Sequence, residues 1–295
     1  MGKGKNDQLN ARMYVLVFYD SFVWGYATGI WCATLLKYMN LETKVERQLL
    51  REEFFAEVFS GLKGKKIGFV KPLGNLGDEL IFSATCQLFD YFKIDWQEVN
   101  LDSVSKEIEE LVYGGGGSMG LESPYLENIE LRKKMLATGL PITIFPQSFI
   151  SPEPLPYKKV FVREKESLKF YPNAVLAPDL ALGFKTTVQK RPVKKLTFVL
   201  RKDGESVFSH RTLFNDFYQY ANNLEDYLNF VANYETVITD RLHVGIATLI
   251  AKRRLILLPN SYHKNRSMYE TWLKDLGASF AKSIPKALFL LVKKQ

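Results

Sequence analysis

From Lys65 to Gly277, short apolar runs with strand character alternate with segments of helical spacing, and that alternation admits few folds. KKIGFVKP (65–72) reads as a strand and leads into the glycine-bearing turn GNLGD, after which ELIFSATCQLFDYF (79–92) has helical spacing. IEELVYGGGG (108–117) reads as a buried strand ending in a glycine loop, LENIELRKKMLATG (126–139) as a helix closed by Gly139, and PITIFPQS (141–148) as a strand ending in a turn. VFVRE (160–164), ESLKFYP and AVLAPDLAL (174–182) continue the pattern, and the basic, proline-containing KTTVQKRPVKK (185–195) reads as a connection between domains. Beyond it the alternation restarts: LTFVLRKDG (196–204) and TVITD (236–240) as strands, ANNLEDYLNFVANYE (221–235) and RLHVGIATLIAK (241–252) as helices, then RLILLPN (254–260) and a helix at SMYETWLKDLG (267–277). The expected fold class is α/β, with two doubly wound domains facing a cleft: residues 61–185 and 186–295, preceded by an aromatic, helical extension at 1–60.

Composition narrows the partners. With 295 residues and ordinary globular apolar and charged fractions, the chain can bury a sizeable core. Its formal charge of +8 favours anionic ligands, yet the basic residues are scattered and form no arginine-rich stripe, so nucleic acid is not an expected partner. Cys32 and Cys86 lie far apart in apolar segments and read as reduced core thiols; neither they nor the three histidines have metal-ligand spacing, so no metal is expected. MGKGKNDQLNAR lacks the apolar core of a signal peptide, which makes the cytoplasm the expected compartment. The charge-free stretch that follows, Ser21 to Leu36, is shorter than the roughly 20 residues a membrane span requires. Its aromatics, Phe22, Trp24, Tyr26 and Trp31, keep peripheral contact with the inner face of a membrane open.

The polar motifs all fall at strand ends. GNLGDE (74–79) allows a tight backbone turn, with Asn75 and Asp78 at a helix start, but it is neither a dinucleotide nor a P-loop fingerprint. Four consecutive glycines in YGGGGSMG cost backbone entropy, and Gly115 and Gly116 are best explained by close approach of the main chain to a ligand or another strand. Gln147 and Ser148 end the next strand with two hydrogen-bonding side chains. Arg163 ends another, where a planar guanidinium can hold phosphate or carboxylate and the bland alternative is a surface Arg–Glu pair. TDRLH puts Arg241 and His243 two residues apart at the start of an apolar helix, whose dipole adds positive potential to fixed charge and one group that titrates near neutrality. Asn260, Tyr262, His263, Lys264, Asn265 and Arg266 follow the next strand; His263 is expected only to shape that loop, and His210 to be a surface or structural residue.

The ordered set GNLGDE, GGGG, PQS, RE, APDLAL, TDRLH, NSYHKN and YETW resembles the polysaccharide pyruvyltransferase family over roughly residues 65–275, its C-terminal part being similar to the exopolysaccharide branch. That resemblance implies two Rossmann-like domains in a glycosyltransferase-B-like arrangement. It also implies transfer of the enolpyruvyl group of phosphoenolpyruvate to a sugar of a surface polysaccharide or its lipid-linked precursor, forming a pyruvate ketal. No cofactor is implied, because phosphoenolpyruvate is itself the donor substrate. By the same resemblance Arg163 and Arg241 grip the donor's phosphate and carboxylate, and His243 binds the donor or protonates its methylene carbon. Lys264 and Asn265 add donor contacts, Asp78 and the glycines Gly115 and Gly116 shape the acceptor side, and Asn75, Gln147, Ser148, Asn260 and Tyr262 complete the substrate contacts. Where the exopolysaccharide branch carries Asn and Gly-Asp after the glycines, this chain reads GGGGSMGLESPYLEN, so the acceptor sugar stays open. A sugar-nucleotide glycosyltransferase of the same fold, and an inactive scaffold in polysaccharide assembly, are the competing readings.

Overall fold

Strands buried on both faces need helices to cover them, and the alternating chain supplies both. The computed structural model describes residues 46–187, 191–208 and 223–292. Among these, β1 (Lys66–Val70), β2 (Asp95–Glu98), β3 (Glu110–Tyr113), β4 (Gly116–Met119), β5 (Ile142–Phe149), β6 (Lys159–Val162) and β7 (Val175–Leu176) form one sheet. Its order is β2–β1–β3–β5–β6–β7, with β4 continuing the line of β3 beside β5. A second sheet, ordered β11–β10–β9–β8, contains β8 (Lys194–Val199), β9 (Tyr234–Thr239), β10 (Arg254–Leu257) and β11 (Ser279–Phe280). Every strand pair within the two sheets is parallel, so the molecule is α/β as expected.

The helices are α1 (Ala56–Ser60), α2 (Leu76–Phe92), α3 (Leu126–Ala137), α4 (Leu224–Ala232), α5 (Leu242–Ile250), α6 (Lys264–Met268) and α7 (Ile284–Val292). Helix α2 buries Leu80, Ile81, Ala84, Leu88 and Phe89, a stripe at three- and four-residue spacing that faces both sheets' helical layers, and it packs on α4 and α5. One apolar core therefore runs from Phe59, Phe69, Phe89 and Phe145 beside the first sheet to Val237 and Leu255 in the second. Residues 46–60 join it: Phe55 and Phe59 are fully buried, and Arg47 pairs with Thr186.

Three local expectations are corrected. The glycine run is a strand rather than a loop from Gly116 onward, because residues without side chains can lie directly beside β5. The expected turn at 146–148 is also strand: β5 continues through Pro146, Gln147 and Ser148 with every residue buried. At the C-terminal side, the expected helix 267–277 starts earlier, at Lys264, and widens into a π-type turn over Tyr269–Leu273. No helix among the described residues is long and apolar enough to cross a membrane. The aromatic segment at 14–38, Cys32 and His210 lie outside the described residues, whereas Cys86 is a half-buried thiol on α2 that burial pushes up to about 11.

Candidate functional site

The order of the first sheet locates the site before any side chain is considered. The chain leaves β1, forms β2 on one side and then returns to form β3 on the other, so a crevice opens beyond the carboxyl ends of β1 and β3. A cavity of about 420 Å³ occupies that crevice. The β1–α2 turn contributes Asn75, Gly77 and Asp78 to it, and the glycine run contributes Gly115, Gly116 and Gly117. The strand ends of the second sheet close the opposite wall with Arg201, Asp203, Glu205, Arg241 and His243.

Arg163, one residue past β6, is almost wholly buried, and so is its partner. Its Nη1 donates to Asp179 Oδ2 at 2.7 Å and its Nε to Ser148 Oγ at 2.8 Å, while its carbonyl accepts from Trp272 Nε1 at 2.7 Å. A Cβ on Gly117 would come within 2.8 Å of Arg163 Nη2, so any side chain there would displace the guanidinium from the cavity wall. Burial alone would raise Asp179, but the Arg163 guanidinium, His243 and the Ala181 N–H outweigh it and hold the carboxyl well below the usual range.

His243 joins the two sheets. Its Nε2 lies 3.5 Å from both Arg163 Nη1 and Asp179 Oδ2, and its Nδ1 lies 4.0 Å from Asp78 Oδ1. A Cβ on Gly77 would come within 3.0 Å of that Nδ1, so the second glycine of GNLGD makes room for the imidazole.

The second-sheet wall is a chain of alternating charges. Arg201 donates to Asp203 through Nε at 2.8 Å and Nη2 at 3.0 Å, and its Nη1 is 3.0 Å from Glu205. Arg241 Nη2 reaches the same Asp203 at 3.4 Å, and Lys264 Nζ donates to Glu205 at 2.8 Å. Glu205 also accepts from Tyr125 Oη at 3.1 Å, and Ser118 Oγ lies 2.9 Å from Tyr262 Oη, so polar contacts cross from one sheet's loops to the other's. Burial would raise Glu205, yet Lys264 and Arg201 take it down to about 2. Asp240 behaves oppositely. It is fully buried behind this wall, its Oδ1 accepts from the Arg201 N–H, and its Oδ2 has no partner among the described residues. Burial pushes it up to about 6 in spite of Arg201 and Arg241.

Of the residues read from the sequence, Arg163, Arg241, His243, Asn75, Asp78, Gly115, Gly116, Gln147 and Lys264 line the cavity. Ser148 stands behind it, holding Arg163. Asn260 and Tyr262 flank it, bonded to Glu205 and Ser118. Asn265 is buried away from the cavity: its Nδ2 donates to the carbonyls of Asp240 and Leu258, tying the ends of β9 and β10 together, which corrects the expectation of a donor contact. His263 pairs with Glu164 at 3.3 Å. Arg201, Asp203, Glu205, Asp179 and Tyr125 belong to the site in addition to the residues expected from the sequence. Arg201 and its carboxylates end β8 as Arg241 ends β9, and that shared strand-end position was the available signal. Among the described residues no cluster of three or more His, Cys, Asp or Glu is placed to hold a metal ion.

The sequence profile of the polysaccharide pyruvyl transferase family matches residues 75–262, a span that begins at the α2 cap and ends beside Lys264. General stress protein 30 of Bacillus subtilis (strain 168) is similar, 23% identical over a 264-residue alignment that covers 69% of this chain and 76% of that one. An uncharacterised protein of Klebsiella pneumoniae subsp. pneumoniae NTUH-K2044, of known crystal structure, shares the fold with a TM-score of 0.62 at 23% identity, over 78% of this chain and 98% of that one.

Proposed function

Because the chain belongs to the polysaccharide pyruvyl transferase family, we propose that it transfers the enolpyruvyl carbons of phosphoenolpyruvate to a glycan as a pyruvate ketal. The observation that carries this reading is the gathering of Arg163, Arg201, Arg241, Lys264 and His243 around one cavity at the strand ends. Phosphoenolpyruvate carries about three negative charges near neutrality, and clustered guanidinium, ammonium and imidazole groups supply the complementary field.

In this reading Arg163 and Arg241 hold the donor's phosphate and carboxylate, and His243 delivers a proton to the methylene carbon. Protonation makes the central carbon electrophilic, and one sugar hydroxyl adds to it. A second hydroxyl of the same sugar then displaces phosphate at that carbon. The two hydroxyl protons leave, one methyl group is formed, and inorganic phosphate is released, so the exchange balances without an oxidant or reductant. Asp179, bonded to Arg163 and close to His243, positions both. In a glycosyltransferase-B-like arrangement, residues 186–295 supply most of the donor contacts, while residues 61–185 add Arg163 to them and present the acceptor. Asn75, Asp78, Gln147 and the amides of Gly115 and Gly116 offer neutral sugar hydroxyls their partners. Leu73 and Tyr125, exposed at the cavity wall, offer apolar area to a sugar ring face. The acceptor is a sugar of a surface or exopolysaccharide, or of its lipid-linked precursor at the cytoplasmic face of the membrane.

The test is phosphate release by purified protein from phosphoenolpyruvate across an acceptor panel, beside thermal shift with phosphoenolpyruvate and with nucleotide sugars. Acceptor-dependent phosphate release that falls at least 100-fold in Arg241→Ala is expected. Stabilisation by a nucleotide sugar alone would replace this reading with a glycosyltransferase.

A further inference from the structure

Every cationic group on the cavity wall has a resident carboxylate, and the carboxylates differ in how firmly they are built in. Asp179, which holds Arg163, is 1% exposed, and it also caps a turn by accepting from the Ala181 N–H. Glu205, which holds Lys264 and Arg201, is 12% exposed and takes a further bond from Tyr125. Asp203 is 43% exposed, lines the cavity, and sits on the turn after β8. Its two oxygens meet Arg201 Nε and Nη2 at 2.8 and 3.0 Å, and one of them also stands 3.4 Å from Arg241 Nη2. A single accessible carboxylate thus bridges two guanidinia that are themselves only 7% and 8% exposed.

That geometry is the one an oxyanion ligand would adopt: a planar fork engaged by two oxygens, with a second guanidinium at the side. Buried ion pairs resist opening because neither ion can return to water, whereas an exposed pair exchanges at little cost. We propose that Arg201 is a further anion-binding residue, acting with Arg241, and that Asp203 is its exchangeable counter-ion, displaced when a phosphate or carboxylate ligand enters. The identity of that ligand as phosphoenolpyruvate rests on the pyruvyl transferase reading; the exchange itself requires only an oxyanion. Before entry, Asp203 places a negative charge between two nearly buried guanidinia. On entry it swings toward solvent, and its charge then opposes the ligand's.

Calorimetric titration of the full chain with inorganic phosphate and, separately, with phosphoenolpyruvate tests this. Asp203→Asn keeps the Oδ1 acceptor for the Glu205 N–H and Arg201 Nε but removes the charge and the Oδ2 acceptor of the two Nη2 groups, so both anions are expected to bind about five- to tenfold more tightly. Asp203→Glu keeps the charge and is expected to stay within twofold of the parent. Arg201→Gln is expected to weaken both anions about tenfold and to abolish the gain from Asp203→Asn in the double variant. A merely structural Asp203 would instead give weaker binding and a lower Tm in Asp203→Asn, and unchanged or weaker binding there overturns the proposal. Should Asp203→Asn fail to fold, Arg201→Gln decides: binding of both anions at parental strength also overturns it. Binding of phosphate but not phosphoenolpyruvate by the parent would sink the donor reading while the variants still decide this one, and binding of neither anion would sink both.

Discussion

Two helices begin at the same cavity, and they begin differently. At the start of α2, Asn75 Oδ1 accepts from the Gly77 N–H and Asp78 Oδ2 accepts from the Asn75 N–H, each at 2.8 Å, so the helix's own side chains satisfy its first amides and place a carboxylate at its positive end. At the start of α5 the N-cap residue is Arg241, whose side chain makes no capping bond, no acidic residue lies in the first turn, and the Arg241 N–H donates to the neutral Thr239 Oγ1 at 3.0 Å. A helix start that carries no carboxylate of its own and stands beside two arginines keeps its positive end for an external anion. The contrast assigns opposite tasks to the two walls: the α2 wall suits neutral hydroxyls and the α5 wall suits negative charge.

The sharpest break of that contrast comes from chemistry at α5. His243→Gln retains hydrogen-bonding capacity near Arg163 and Asp179 but has no proton to give at neutral pH. It is expected to lower kcat by about 10²–10⁴ while phosphoenolpyruvate binding stays within a few fold. Separate measurement of kcat and KM checks this, and a loss confined to KM would recast His243 as a binding group.

A second, smaller effect concerns the buried support beneath that wall. Asp240 is raised from 3.8 to about 6 by burial, so between those values the folded chain holds a proton that the unfolded chain has lost. Its contribution to stability is therefore present at low pH and lost as pH rises through about 6. Asp179 and Glu205, both depressed, act in the opposite sense: their contribution holds above the ordinary carboxylate range and is lost on acidification. Asp240→Asn removes the first term and leaves the others. The stability of the variant relative to the parent is expected to rise by on the order of 3 kcal/mol from pH 4 to pH 7, read from denaturant midpoints. Any fixed cost of the new amide shifts the whole difference curve without changing its slope. Parallel pH curves would place Asp240 in its ionised form throughout.

How much of this the sequence carried depended on whether the cause was local. β1, β5 and β10 announce themselves because burial on both faces demands apolar runs. β2 does not: it is an edge strand reading DWQE, largely exposed, held by main-chain pairing with β1 and by Trp96 alone stacking on Phe89 in the core. In the site, a surface pair of Arg163 with Glu164 is the alternative that adjacency offers, yet both are buried and part company. Arg163 turns to Asp179, while Glu164 accepts from the Ser167 N–H and the His263 side. Strand alternation separates neighbours to opposite faces, and no spacing rule reveals the partner each finds. Lys264 and Glu205 illustrate the same limit, since 59 residues separate a pair joined only by the packing of β8 beside β9 and β10 beyond it. The positions at strand ends were legible; the pairings among them were not.

The smallest expected effect tests the α2 wall. Asp78→Ala deletes the bond to the Asn75 N–H while Asn75 still caps Gly77, so about 1 kcal/mol of stability should go, lowering Tm by about 2–4 °C. If the two helix starts have the tasks assigned above, donor affinity changes by less than about twofold, because the anion is held by α5 and the arginines and is only weakly sensitive to a partly screened charge across the cavity. Acceptor KM should rise instead, since a carboxylate that accepts from sugar hydroxyls has been lost. Asp78 Oδ1 lies 4.0 Å from His243 Nδ1, so a competing outcome is available: a tighter donor in Asp78→Ala, matching Asp203→Asn in size. That result would show both helix starts acting on one anion, and the division of the cavity into a donor wall and an acceptor wall would have to be abandoned.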